Sequence, residues 1–183
     1  MNETIEYTGS QHGFLPVNKD VLSKAGEMDI VLITGDAYVD HPSFGAAVIG
    51  RVLEKAGFRV GIIAMPEWKN PDSIRVFGRP RLFFAITSGN VDSLVANYTS
   101  FNRLRSDDPY APGGRGGNKP DRAVIVYANL VRRVYKDIPI VIGGIEASMR
   151  RAAHYDFWSN KVRRSIIEDS RAAVLVHGMG EFQ

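Results

Sequence analysis

Residues 29–65 indicate the fold class, and their sequence is DIVLITGDAYVDHPSFGAAVIGRVLEKAGFRVGIIAM. It opens with a short apolar run, 29–34, which is typical of a strand buried on both faces of a parallel sheet. Apolar residues then recur at helical spacing from Pro42, which suits a first helical turn, as far as Gly57. A second apolar run follows at 59–65. Strand, helix and strand in this order predict a right-handed parallel crossover.

Three further apolar runs continue this pattern at 82–87, 138–144 and 172–178. A helix is predicted from Pro120 over DRAVIVYANLVRRVYK, and helical turns are expected between the last two strands. The predicted fold class is therefore α/β. It is a doubly wound, mostly parallel sheet of five strands in the flavodoxin-like order 2-1-3-4-5.

One globular domain is predicted, because the chain has 183 residues, of which 44% are hydrophobic and 23% charged. Residues 1–27 lack clear periodicity and are predicted to be an irregular lead-in, with the α/β domain over 28–183. We expect that domain to be truncated before its last helix. A parallel sheet needs both faces covered, so apolar residues beside Ala172, Val174 and Val176 should be exposed.

Several functional classes are disfavoured by what the sequence lacks. No apolar run approaches the roughly 20 residues that span a bilayer, and no signal peptide is recognised, so a cytoplasmic location without membrane partners is predicted. The absence of cysteine excludes disulfides, thiol nucleophiles and a conventional iron–sulfur cluster. The fingerprints GxGxxG, GxxxxGK[ST] and GxSxG are also missing. No metal site is predicted, because the four histidines have no ligand-type spacing.

Two features leave alternatives open. Basic residues recur over 103–133 and 150–164, and the net charge is +3, which suits nucleic acid or phosphate, although charge runs usually mark solvated faces. The segment 98–119 carries DDPYAPGGRGGNKP and no core pattern. It is predicted to be either a disordered connector or a loop that covers a ligand.

The strand ends combine glycine with polar residues. Carboxyl ends of parallel strands share one edge, where glycine lets the backbone approach a ligand and a following helix offers N–H groups to an anion. A single glycine more often marks a tight turn, but recurrence at four strand ends predicts a ligand-binding rim. The candidate residues are Gly35, Asp36, Ser88, Gly89, Asn90, Gly143, Gly144, Glu146, His177, Gly178, Gly180 and Glu181.

The loop before the first helix adds Asp40, His41, Ser43 and Gly45 to these candidates. A histidine among carboxylates can serve as a general base or a metal ligand. The alternative is helix capping, in which Asp40 or Ser43 accepts hydrogen bonds from free helix N–H groups. A further hypothesis places Asp36, His41, Gly144 and Glu181 around one shared cleft.

Longer blocks of sequence are more specific than these glycines. The chain strongly resembles the N-terminal region of the YgiQ family of radical S-adenosylmethionine (SAM) proteins from about Gly13 onward. The blocks that carry the resemblance are GDAYVDHPSFG (35–45), GRVLEKAGFRVGII (50–63), RPRLFFAITSGNVDS (79–93), PGGRGG (112–117) and PIVIGGIEASMRRAAHYDFWSNKVRRSI (139–166).

The resemblance implies a longer protein, in which a downstream barrel carries a CxxxCxxC loop for a [4Fe-4S] cluster that cleaves SAM. None of those catalytic residues maps onto this chain. The region also looks like the cobalamin-binding type of Rossmann domain, with Gly143-Gly144 and the segment 178–181 as its GG and GxGE elements. The DxHxxG motif of histidine-ligated cobalamin is absent, because Asp40 and His41 are adjacent and Gly45 falls one residue late.

The leading hypothesis is therefore an accessory domain of a radical SAM enzyme of unknown substrate. Its rim would face the downstream domain and a cobalamin or the substrate, and the chain alone would be inactive. The alternatives are a stand-alone module that binds a nucleotide or another anion, and a basic nucleic-acid adaptor.

Overall fold

The computed structural model describes residues 14–18 and 27–182. Five strands form one parallel sheet in the order β2-β1-β3-β4-β7, which confirms the predicted order, because β7 is the fifth strand of the sheet along the chain. Two more strands, β5 and β6, pair separately as an antiparallel hairpin. The bounds are β1 Ile30–Thr34, β2 Val60–Ala64, β3 Phe83–Thr87, β4 Ile140–Ile142, β5 His154–Asp156, β6 Lys161–Arg163 and β7 Val174–Leu175.

Helices connect the strands of the sheet. They are α1 Gly45–Lys55, α2 Ser93–Asn97, α3 Ala123–Val134, α4 Gly144–Met149 and α5 Ile166–Ser170, with 3₁₀ turns at Pro71–Ile74, Pro112–Gly114 and Gly180–Phe182. None of the described helices is long and apolar enough to cross a membrane.

Two helix starts differ from the prediction. Helix α1 begins at Gly45 rather than Pro42. Helix α3 begins at Ala123 rather than Pro120, because Arg122 adopts the left-handed conformation with φ 53° and ψ 54°, which an α-helix cannot include. The hairpin was not predicted, since each of its strands has only three residues, too few for a periodic pattern to be recognised.

The two faces of the sheet pack against different helices. One face carries Ile33, Phe84 and Ile86 and packs against α3 in the larger core cluster. Neighbouring residues of each strand point to the opposite face, where Leu32 and Ile62 pack with α1 in a smaller cluster. The sheet is therefore the middle layer of a three-layer α/β domain.

The described part of the lead-in contributes to the smaller cluster. Leu15 is buried in it, and the carbonyl of Pro16 accepts a hydrogen bond of 2.8 Å from Ile62 N. A Cβ on Gly50 would lie 2.5 Å from Leu15 Cδ1, so α1 has a glycine where this segment crosses it. This part of the lead-in is irregular, and Leu15 nevertheless belongs to the core. Residues 1–13 and 19–26 lie outside the described residues.

The packing of Phe77 on β2 predicts the effect of adding a methyl group to Gly61. A Cβ there would lie 2.8 Å from the buried Phe77 ring, which is rigid. We expect Gly61→Ala to lower the free energy of unfolding by about 1–3 kcal/mol, because overpacking displaces core side chains. Gly45→Ala is the control, since no atom lies within 4 Å of its added Cβ. Denaturant titration that gave both variants equal stability would contradict this packing.

Candidate functional site

Asp36 is the buried centre of the strand-end edge. Its side chain follows β1 and is almost inaccessible, at 2% exposure. Asp36 Oδ1 accepts a 2.6 Å hydrogen bond from Lys119 Nζ, and Oδ2 accepts one of 2.6 Å from Asn90 N. The fully buried Lys119 Nζ also lies 3.8 Å from Asp108 Oδ2. One ammonium thus serves two buried carboxylates, where attraction is stronger than in water.

Glycines next to this ion pair allow the ends of β1 and β3 to approach each other. A Cβ on Gly35 would lie 2.2 Å from the carbonyl oxygen of Ser88. Gly89 has φ +103°, and its Cβ would lie 2.1 Å from Asp36 Oδ1. Ser88 is itself buried and donates to the carbonyl of Val91. Contacts within the protein therefore account for these glycines without a ligand.

The segment 98–119 is folded rather than a disordered connector. Bridges pair Tyr98 with Leu104 and Asp107 with Arg115. Ala37 N donates a 2.8 Å hydrogen bond to the carbonyl of Tyr110. Through this bond and Lys119, the loop lies over the end of β1. That this loop covers a ligand stays a prediction, because the group that it covers in this structure is the side chain of Asp36.

A cavity of about 330 Å³ opens beside this loop. Trp68 and Leu104 supply apolar surface, while Arg105 and Asp121 bring opposite charges. Asp121 already accepts hydrogen bonds from Asn97 Nδ2 and the Tyr98 hydroxyl.

Glu146 lies inside the domain, where it links two helices. Its side chain is fully buried, Oε2 accepts a 3.1 Å hydrogen bond from Ser93 N, and Oε1 accepts one of 3.1 Å from Val124 N. The carboxylate therefore caps the starts of α2 and α3 together. Burial raises the pKa of Glu146, although these hydrogen bonds and the charge of Lys119 act in the opposite direction.

Asp92 and Arg150 form a second buried ion pair, which the sequence interpretation missed. Asp92 Oδ1 accepts a 3.0 Å hydrogen bond from Leu94 N, so Asp92 is also the N-cap of α2. Burial lowers the pKa of Arg150. The position of Asp92 before a short apolar segment matches an N-cap pattern and could have identified that role. Arg150 offered no signal, because its partner lies 58 residues away.

The loop before α1 is held differently from the capping prediction. Asp40 pairs with Arg51, whose hydrogen bonds keep the pKa of the Asp40 carboxyl below its usual value. The N-cap residue Phe44 makes no side-chain cap. Capping by Asp40 is therefore wrong. His41 is exposed, and its Nδ1 accepts a 3.1 Å hydrogen bond from Ser43 N.

Asn90 supplies the contact that Asp40 and Ser43 were expected to make. Its Oδ1 accepts a 3.4 Å hydrogen bond from Gly45 N, the first residue of α1. Its Nδ2 donates to the carbonyl of Ser43 at 3.0 Å. The end of β3 thus holds both Asp36 and the start of α1, and it joins candidates that stand far apart in the sequence.

The ends of β4 and β7 form an open rim, defined here as Gly144, Ile145, Met149, His177 and Met179. All five residues are exposed. Ile145, Met149 and Met179 expose 42%, 52% and 75% of their surface. This part of the edge is accessible to a partner, unlike the part around Asp36.

A close contact within the chain accounts for Gly144, whereas Gly143 and Gly178 have room for a Cβ. A Cβ on Gly144 would lie 2.4 Å from Thr87 Oγ1, and one on Gly143 would lie 3.5 Å from the carbonyl oxygen of Val176. Gly178 N donates a 3.0 Å hydrogen bond to Ser148 Oγ.

Asp36 does not line the predicted shared cleft. Asp36 is buried beneath Asn90 and Lys119, so it does not face solvent beside the exposed His41. For His41, Gly144 and the half-buried Glu181 the cleft stays a prediction.

Much of the basic charge noted in the sequence is balanced locally. Arg122 pairs with Asp156, while Arg163 and Arg164 both pair with Asp169. Arg150 is buried against Asp92, as described above. These arginines do not form an unpaired basic surface of the kind that binds phosphates.

The described residues give no support to a metal cluster or to a histidine-ligated corrinoid at the end of β1. They contain no group of three or more His, Cys, Asp or Glu residues that could hold a metal ion. The space above the end of β1 is filled by the segment 98–119 and Lys119, and His41 Nδ1 is engaged by Ser43 N.

Sequence comparison identifies the family. The family described as Radical SAM N-terminal matches residues 14–183. The chain belongs to this family. UPF0313 proteins are relatives of this chain, and the resemblance to the YgiQ family is confirmed.

The relatives are much longer than this chain. A UPF0313 protein of Thermotoga neapolitana is 58% identical over 170 residues, which are 92% of this chain and 30% of the relative. A UPF0313 protein of Clostridium botulinum is 56% identical over 174 residues, 94% of this chain and 27% of the relative. The chain thus spans less than a third of their length. No solved structure matches it.

The buried ion pair predicts a strong effect of removing Lys119. We expect Lys119→Met to lower the free energy of unfolding by about 3–5 kcal/mol, because Asp36 stays buried without its cation. The double variant Lys119→Met with Asp36→Asn should recover part of that loss, since it removes both charges. Denaturant titration of both single variants and the double variant measures the coupling. Additive losses would show that the two side chains do not interact.

Proposed function

We propose that this chain is the accessory domain of a longer radical SAM protein, with its open rim facing the catalytic domain. The exposed side chains of Ile145, Met149 and Met179 carry this proposal. Open α/β sheets bind their ligands beyond the carboxyl ends of the strands, and clustered exposed apolar residues mark interaction surfaces. The family match supports a radical SAM protein as the context.

The catalytic cofactors belong to the rest of that protein. The family implies a [4Fe-4S] cluster and SAM, which together would supply radical chemistry. This chain has no cysteine and therefore provides no thiolate for a cluster. This chain contributes a surface that lies beside the catalytic domain. That surface would exclude water and position a substrate. The substrate is unassigned, and the cytoplasmic location stays part of the proposal.

The closed part of the edge has a structural role in this proposal. Lys119 and Asp36 hold the segment 98–119 over β1 and β3, and Glu146 joins α2 to α3. This interior network makes the loops at the carboxyl edge rigid, so the open rim is presented in one orientation. A corrinoid at the open rim stays a prediction, because these contacts fill only the edge above β1.

The stand-alone alternatives have less support. An anion at the start of α3 would need its free N–H groups, but Ala123 N donates to Ser93 Oγ and Val124 N donates to Glu146. The ion-paired arginines likewise give no support to a nucleic-acid adaptor.

Reconstitution of the isolated chain tests whether the cluster belongs to the rest of the protein. After anaerobic reconstitution with iron and sulfide, we expect no cluster absorbance and no cleavage of SAM, because the chain supplies no thiolate ligand. A stable cluster with stoichiometric iron on this chain alone would contradict the proposal.

A charge placed on the open rim tests its orientation. In the full-length protein, we expect Ile145→Asp to lower the rate of SAM cleavage about tenfold, because burying an unpaired carboxylate costs more than about 1.4 kcal/mol. Leu82→Asp is the matched control, since Leu82 is 40% exposed against 42% for Ile145 and precedes β3 at the opposite edge. Iron content must be equal in all samples. Equal rates for both variants would place the catalytic domain elsewhere.

A further inference from the structure

One face of the sheet is left partly bare. The register aligns a row of side chains across all five strands, and these side chains share the face on which α1 packs. Ile62 and Leu32 are buried under α1, and Ala85 is half-buried at the margin of their cluster. Val141 is half-buried, and Val174 is 49% exposed. Exposure therefore increases from β2 to β7.

The opposite face does not show this gradient. The next row along the same strands consists of Ile63, Ile33, Ile86, Ile142 and Leu175. Four of these side chains are buried, and Leu175 packs against the same cluster under α3. Parallel strands normally have both faces covered, so the bare surface over β3, β4 and β7 is the exception.

We define this bare surface by Ala85, Val141 and Val174. Of the residues expected to be exposed on the last strand, Val174 agrees with the expectation and Ala172 does not. Val174 is exposed, as expected for a last strand that no helix of the domain covers. Ala172, by contrast, packs against the larger core cluster and is half-buried.

The chain after β7 lies beside this surface. A Cβ on Gly180 would be 2.8 Å from Val176 Cγ1 and 3.9 Å from Ile49 Cδ1 of α1. The turn Gly180–Phe182 is therefore on the same side of the sheet as α1, at the carboxyl end of β7. A segment that continued from this turn would run back along the bare surface, parallel to α1.

We propose that the bare surface is the docking site for an amphipathic helix from the polypeptide that follows the matched region in the longer relatives. In the Thermotoga neapolitana protein the matched region is only 30% of the chain, so most of the polypeptide lies outside it. A strand of five residues spans about 16 Å, which a helix of about 11 residues covers. Helix α1 has this length, with 11 residues.

The apolar stripe of that helix would replace water over β3, β4 and β7. The helix would cross the row Ala85, Val141 and Val174, and aliphatic side chains at its positions i, i+4 and i+7 would form the stripe that faces the sheet. This inference shares with the proposed function only the longer polypeptide. It concerns a face of the sheet and not the open rim.

Thiol labelling tests the proposal directly, because the chain has no cysteine and an introduced one is unique. Val174→Cys and Ala85→Cys report on the bare surface. Val162→Cys is the control, since Val162 lies on the hairpin and is 73% exposed. Each variant is made in this chain and in the same chain extended by the next roughly 20 residues of the Thermotoga neapolitana relative, enough for a connection and a helix. Any cysteine in the extension is replaced by serine.

We expect the extension to slow labelling at positions 174 and 85 at least about tenfold and to leave position 162 unchanged, because only buried thiols need an opening event. Equal rates with and without the extension would overturn the proposal. Slow, concentration-dependent labelling of the unextended chain would also overturn it, since a second copy would then cover the surface.

Folding and function are separated by design. Thermal unfolding of each variant shows whether it is folded, and Ala85→Cys, which adds only one sulfur atom, carries the test if Val174→Cys does not fold. The assay needs neither a cluster nor SAM. Unchanged SAM cleavage by Ile145→Asp would therefore not affect the labelling result. Unchanged labelling would likewise not affect the test of the open rim.

Discussion

The ammonium of Lys119 and the carboxylate of Asp36 meet at 2.6 Å in the interior, and the carboxyl edge of the sheet depends on this pair. Lys119 ends the segment 98–119, and Asp36 follows β1, so the pair fixes a long connection over the strand ends. Asn97 Nδ2 donates to the Lys119 carbonyl at 2.9 Å, which holds the backbone at the same point. Loss of the Lys119 charge would leave the Asp36 carboxylate buried without its cation, which costs more than the pair contributes.

This pair also determines where a partner can bind. Lys119 and Asn90 cover Asp36 and shield it from solvent. The polar candidates at this part of the edge therefore hold the chain's own loops together. Glu146 acts in the same way for α2 and α3. The accessible part of the edge then lies at β4 and β7, where apolar side chains rather than titratable groups reach solvent. Such a surface suits contact with another protein domain more than proton transfer.

Periodicity predicted the sheet and its order, because buried parallel strands are short apolar runs and the connections between them carry helical spacing. The ion pairs could not be predicted in this way, since Lys119 and Asp36 are 83 residues apart and no periodic pattern links them. Glu146 was identified as a polar residue after β4, but its burial depends on the tertiary position of α2 and α3. The hairpin of β5 and β6 was missed because each strand has only three residues, and the contacts of Arg122 and Ser159 with Asp156 leave no periodic pattern.

The open rim and the bare surface constrain the path of a longer polypeptide. Both adjoin the turn Gly180–Phe182, which lies at the carboxyl end of β7 and contacts α1. A helix that starts there and covers the bare surface runs toward the amino ends of the strands, away from the open rim. The polypeptide beyond that helix must then return along the domain, about 16 Å or at least about five extended residues, before a catalytic domain can face Ile145 and Met179. A covering helix and a rim-facing catalytic domain are therefore compatible only when a returning connection joins them.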